Sequence, residues 1–162
     1  DDNGIPKKGV KEPWLGEGYY FWDTRIADAQ WWGNTVYSQK GYIICHTTYD
    51  QHSPLLYDLV GDMKNLDEFV ACAEFIKANL NTDAVSFPVV LTYMKKLPEF
   101  GYKAIRVWPQ SYTVKKTVVK FPGDKLDLGK VDKIQICFFD KTLLKNPYKI
   151  VEKKTFAANQ TI

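Results

Sequence analysis

Leu15-Gly16-Glu17-Gly18-Tyr19-Tyr20-Phe21-Trp22-Asp23 is the most informative stretch of this 162-residue chain. Two glycines frame an unbroken run of four aromatic residues. Rings favour a pleated, half-buried surface, and glycine lets the backbone turn or be approached closely, so the run predicts a short strand entered through a tight turn. Asp23 or Thr24 is placed to cap a helix that Gly33 ends, with Ile26, Ala27, Ala29 (or Gln30) and Trp31 available to face inward. Before the run, residues 1–13 are polar and carry Gly4, Pro6, Gly9 and Pro13, which reads as an irregular arm.

Beyond the run, Gly41 to Tyr49 is rich in β-branched and aromatic residues and predicts a strand. Pro54 is read as opening a short helical stretch to Val60. Asn65, with Glu68 three residues on, predicts a capped helix whose stripe is Leu66, Phe69, Val70, Ala73, Ile76 and Leu80. Lys77 falls on that stripe and can bury its stem while keeping its ammonium wet. A second helix is expected from Ser86 to Leu97, with Pro88 in its first turn. After Gly101 the period changes to two, and strands are expected at Tyr102–Trp108, Thr117–Phe121, Lys133–Phe139 and Tyr148–Lys153. Pro122-Gly123-Asp124 is a turn signal. This order lacks regular βαβ alternation, so the expected class is α+β, with a split or strongly bent, mostly antiparallel sheet and peripheral helices.

Composition narrows the function classes. Charged residues are 25% and hydrophobic residues 45%, which is globular and not disordered. A net charge of +3 is too weak to argue for nucleic acid alone, and the lysine-rich stretches read as solvated faces. No apolar run approaches the length of a membrane span. Cys45, Cys72 and Cys137 are scattered through apolar segments, so no disulfide framework or metal site is expected; buried reduced thiols in a cytoplasmic protein are the plain reading. His46 and His52 have no third ligand placed by spacing and read as ordinary strand and loop histidines. The chain contains no Gly-rich phosphate loop and no nucleophile elbow. The 24 Phe, Trp and Tyr rings exceed what a core of this size absorbs, so some are expected in a pocket or interface.

The run from Leu15 to Asp23, with Ala27, Ala29 and Trp31 after it, resembles the signature of the ADP-ribosyltransferase fold in its poly(ADP-ribose) polymerase and diphtheria-toxin-like branch, in a divergent, bacterial-type form. Gly41 to Cys45 followed by Leu56-Tyr57-Asp58-Leu59 resembles the next strand and extended segment of that family. Lys133 to Asp140 resembles the late strand that carries its catalytic glutamate. The resemblance covers residues 14–60 and 102–144 and implies one domain over 14–162.

The resemblance implies that NAD, as substrate, is held by Gly18, Tyr19, Tyr20 and Trp31, with Tyr20 and Trp31 sandwiching the nicotinamide. Stacking and cation–π attraction give that arrangement a physical basis. Tyr20 and Gln135 are the implied catalytic residues, with Gln135 at the glutamate position and projecting into the cleft of Tyr20. No metal is implied. The implied activity is cleavage of the nicotinamide–ribose bond, with transfer of ADP-ribose to a protein or nucleic-acid acceptor or to water, as in a toxin-like transferase or NAD glycohydrolase. The sequence departs from the family twice. Residues 1–14 contain neither the His nor the Arg of the family's first strand, so the chain is cut short there or the motif is absent. Gln135 keeps a hydrogen bond to a ribose hydroxyl but not the charge that stabilises a developing cation. The alternatives are therefore a degenerate module of the same fold that binds NAD, ADP-ribose or a protein, and an unrelated α+β interaction domain.

Overall fold

The computed structural model describes residues 13–38, 40–81, 84–109, 118–119, 128–129, 133–145 and 148–155. The expected arm before Pro13 and the Pro122–Asp124 turn lie outside the described residues. Strand β1 is Tyr19–Trp22 and helix α1 is Ile26–Val36. Next come β2 (Tyr42–His46), β3 (Leu56–Asp58), α2 (Met63–Leu80) and α3 (Phe87–Met94). Strands β4 (Ala104–Val107), β5 (Val118–Val119), β6 (Leu128–Gly129), β7 (Gln135–Phe138) and β8 (Lys149–Lys154) complete the order.

The strands divide into a four-stranded sheet ordered β1-β7-β4-β3, a separate β2-β8 sheet and a short β5-β6 ladder. Among the described strands only β3 and β4 run parallel; the other pairs are antiparallel. The fold is thus α+β and mostly antiparallel, as expected. Alternation gives the larger sheet two apolar faces. On one, Tyr57, Ile105, Val107 and Cys137 pack with Phe69 and Ile76 of α2 and with Val90, Leu91 and Met94 of α3. On the other, Leu56, Ala104, Ile136 and Phe138 pack with Tyr19, Phe21, Tyr49, Leu143 and Leu144. Fully burying a side chain of this size contributes about 1.5–3 kcal/mol, so these two layers dominate stability.

Several local expectations are corrected. Helix α2 is capped by Asp62, whose carboxylate accepts from the amides of Lys64 (2.9 Å) and Asn65 (3.4 Å), so Asn65 lies inside the first turn. Asn81, with φ 47°, ends it in the left-handed region. The stretch after Pro54 is strand, not helix: Leu56, Tyr57 and Asp58 are all buried, in parallel register with Ala104, Ile105 and Arg106. Neither Asp23 nor Thr24 caps α1. Arg25 stands at the cap position, because Asp23 is taken by Arg106 and Thr24 adopts φ 59°. Gly33 does not end α1; it lies inside, where a Cβ would come within 2.7 Å of the Tyr42 ring. Cys137 is buried, but Cys45 is exposed on β2. Of the α2 stripe, Val70 and Leu80 remain exposed. No described helix is long and apolar enough to cross a membrane.

Candidate functional site

Strand β1 lies beside β7, with Tyr20 opposite Cys137 and Trp22 opposite Gln135. Because side chains alternate, these four residues share one face of the sheet. Tyr19 and Phe21 occupy the other face, and the Lys141 ammonium lies 4.2 Å over the Tyr19 ring. The structure therefore brings Tyr20 and Gln135 to one face and sets Tyr19 across the sheet from them. Gly18 is packed against β7: a Cβ there would meet the Cys137 sulfur and the Phe138 carbonyl oxygen at 2.6 Å. The close approach that requires glycine at this position is that of the neighbouring strand.

The Tyr20 hydroxyl accepts from the Leu15 amide and donates to the Gly16 carbonyl, both at 2.9 Å. It thereby staples the turn in which Gly16 has φ 79°. Burial, reinforced by Cys137, pushes the Tyr20 phenol above its ordinary range. Burial also pushes the Cys137 thiol up to about 12, so neither group ionises near neutrality. The half-buried Gln135 accepts at Oε1 from the indole N–H of Trp14 at 2.8 Å, and Trp14 packs on Phe87 with ring centroids 5.1 Å apart. Trp14 carries no motif in the sequence; its contact with Gln135 spans 121 positions.

The buried carboxylates of the described residues are committed elsewhere. Arg106 lies opposite Ile136 in the β4–β7 register and so on the face away from Gln135. It donates from Nε to Asp23 at 2.8 Å and from Nη1 to both oxygens of Asp58 at 3.1 Å. Burial disfavours this guanidinium's charge, and the two aspartates more than offset that, raising its pKa. Asp23 also accepts from the Tyr49 hydroxyl, and Asp58 from the amides of Val60 and Gly61. Asp28 accepts from the backbone amide of Lys133 at 3.0 Å.

Trp31 lies in a cluster of three indoles. Its ring is 6.0 Å from Trp22 and 6.0 Å from Trp32, and Trp22 and Trp32 are 5.9 Å apart. Trp31 and Trp32 are each 41% exposed, so this is a surface cluster rather than core. The Lys133 ammonium sits 4.2 Å over the Trp31 ring. Tyr20 packs against the α2–α3 core and Trp31 sits on the surface; Trp22, beside Trp31 and on the Tyr20 face, links the two settings. The sequence signal for Trp22 was its spacing of two from Tyr20. Arg25 and Lys133 gave none, because what relates them is the Asp28 carboxylate of α1, which meets the backbone of Lys133 across 105 positions.

Two concavities lie elsewhere. A polar groove of about 600 Å³ is lined by His52, Asp58, Asp62, Glu68 and Tyr102, among others. An apolar groove of about 400 Å³ runs between α2 and α3 past Phe75, Leu80, Val89 and Tyr93. Neither contains a residue singled out from the sequence as binding or catalytic. Among the described residues no group of three or more His, Cys, Asp or Glu is placed to hold a metal ion. No protein-family model, no curated protein and no solved structure matches the chain.

Proposed function

We propose that this chain is a nucleotide-binding module of ADP-ribosyltransferase-like organisation that holds NAD or ADP-ribose with little or no cleavage. The observation that carries the reading is the setting of Gln135. It shares a sheet face with Tyr20, stands opposite Trp22, and offers a neutral amide whose oxygen already accepts from Trp14. Breaking the nicotinamide–ribose bond develops positive charge on the ribose, and a fixed carboxylate is the group that stabilises it. Here the buried aspartates answer to Arg106 and to the Lys133 amide instead. The division of the strands into a four-stranded and a two-stranded sheet supports the fold-level part of the reading. The exposed indoles supply stacking surface for a flat ring.

A live transferase acting on a macromolecular acceptor is the second reading, favoured by the shared face of Tyr20 and Gln135. Tryptophan fluorescence during an NAD titration, with nicotinamide release followed by chromatography, separates the two. The module is expected to show a saturable fluorescence change with nicotinamide release at the rate of buffer alone. Gln135→Glu is expected to raise release about 10²-fold, the scale of one charge-stabilising group. Rapid release by the wild-type chain would overturn the non-cleaving module in favour of a live enzyme, and ADP-ribose recovered on an added protein or nucleic acid, rather than free in solution, would make it the transferase. Titrations of NAD and of ADP-ribose that both lack a saturable change would remove both readings.

A further inference from the structure

We infer that Arg25 and Lys133 form a phosphate-contacting site beside the Trp22–Trp31–Trp32 cluster, suited to the phosphate of a nucleotide whose ring stacks on an indole. Arg25 stands at the start of α1 with its side chain 34% exposed. Its Nε lies 3.8 Å from Asp28 Oδ2, a loose ion pair, and its Nη1 is shut from solvent without a hydrogen-bond acceptor among the described residues. An arginine fork is built to meet two oxygens at once, and one held by a single loose contact, with a third of its side chain exposed, can turn its donors toward a ligand's oxygens. Asp28 meets Arg25 only at that oxygen, 3.8 Å from Nε, and the same oxygen accepts from the Lys133 amide at 3.0 Å.

Lys133 provides the second cation. Its ammonium rests over the Trp31 ring rather than on a carboxylate, and its backbone is pinned by Asp28. Among the described residues, two cations and one buried carboxylate stand by three indoles, two of them well exposed. An anionic group joined to a flat aromatic ring matches that surface in charge and in shape. Asp28 thus serves as a positioning residue that ties Arg25 and Lys133 to the same spot.

This inference deepens the nucleotide reading and rests on it for the group attached to the phosphate. Tryptophan fluorescence titrations of wild type, Arg25→Gln and Lys133→Gln with ADP-ribose, inorganic pyrophosphate and nicotinamide test it. Circular dichroism verifies that each variant is folded, and Arg25→Lys serves as the variant that keeps charge but loses the fork. The expected result is about tenfold weaker ADP-ribose binding for each Gln variant, an intermediate loss for Arg25→Lys, and unchanged nicotinamide binding. Wild-type ADP-ribose affinity in both Gln variants overturns the proposal. If NAD and ADP-ribose fail to bind but pyrophosphate binds in an Arg25-dependent way, the phosphate site stands and the NAD reading falls. If neither phosphate compound binds, both fall.

Discussion

Arg106 and Arg25 each stand close to an aspartate, and they meet opposite fates. Arg106 is 9% exposed at its side chain and spreads its donors over Asp23 and Asp58 at 2.8–3.1 Å. Arg25 reaches one shared carboxylate at 3.8 Å and leaves Nη1 without an acceptor among the described residues. The first arginine joins three parts of the chain: the residue just after β1, β4 itself and the last residue of β3. The second joins little. A buried cation strengthens a fold only when its donors are matched by fixed acceptors, and removing one partner of a matched set exposes the cost of the rest. The same residue type is therefore scaffold in one place and a candidate ligand contact in the other.

The largest expected difference follows directly. Arg106→Ala should leave Asp23 and Asp58 buried without their counter-charge and cost about 3–5 kcal/mol in denaturant melts. A loss below about 1 kcal/mol would show that the triad is not a clamp. Alkaline titration addresses Tyr49, beside the Arg106 cluster, and Cys137, on the opposite face of the sheet. Burial, followed by the neighbouring Asp23 charge, raises the Tyr49 phenol, and burial holds the Cys137 thiol up to about 12. The folded chain then binds these protons more tightly than the unfolded chain. Stability from these groups is fully present below about pH 9, where an ordinary thiol begins to titrate, and declines as pH rises from there to about 12. Melts at pH 8 and pH 10.5 measure it; equal midpoints would contradict the buried, protonated thiol.

Smaller effects sharpen the contrast. Tyr49→Phe deletes one donor to Asp23 while the Arg106 contact remains, and should cost about 1 kcal/mol. Arg25→Gln should shift stability by no more than about 0.5 kcal/mol in either direction, because it removes an unmatched donor along with a weak ion pair. A loss for Arg25→Gln comparable to that for Arg106→Ala would erase the distinction between the two arginines.

The elements that the sequence revealed are those whose evidence is local. The aromatic run predicts β1, the period of two predicts β4, β7 and β8, and the apolar stripe predicts α2. The residue-level reading missed strand β3, which only the family resemblance gave as extended, because Leu56, Tyr57 and Asp58 are buried on both faces, which leaves no alternation to read, and Pro54 looked like a helix start. Gly33 looked like a helix stop because the Tyr42 ring that requires a small residue there belongs to another element. At the site, the shared face of Tyr20 and Gln135 follows from strand alternation once β1 and β7 pair. The partners of those residues do not. Trp14 meets Gln135 across 121 positions, and Arg106 meets Asp23 across 83. Such contacts exist only after the sheet has assembled, and nothing in the neighbouring sequence encodes them.

The indole cluster also gives the molecule an optical property of its own. Trp22, Trp31 and Trp32 stand about 6 Å apart with ring planes inclined at 80°, 54° and 52° to one another. Chromophores this close and this far from parallel share their excitation, and the shared transition splits into paired bands of opposite sign in circular dichroism. Trp22 belongs to β1 and the other two to α1, so the couplet reports the seating of that helix on that strand. Anything that slides between Trp31 and Trp22, or lifts α1 away, removes the share of Trp22 and leaves that of the Trp31–Trp32 pair, so the chain reports the event without a label.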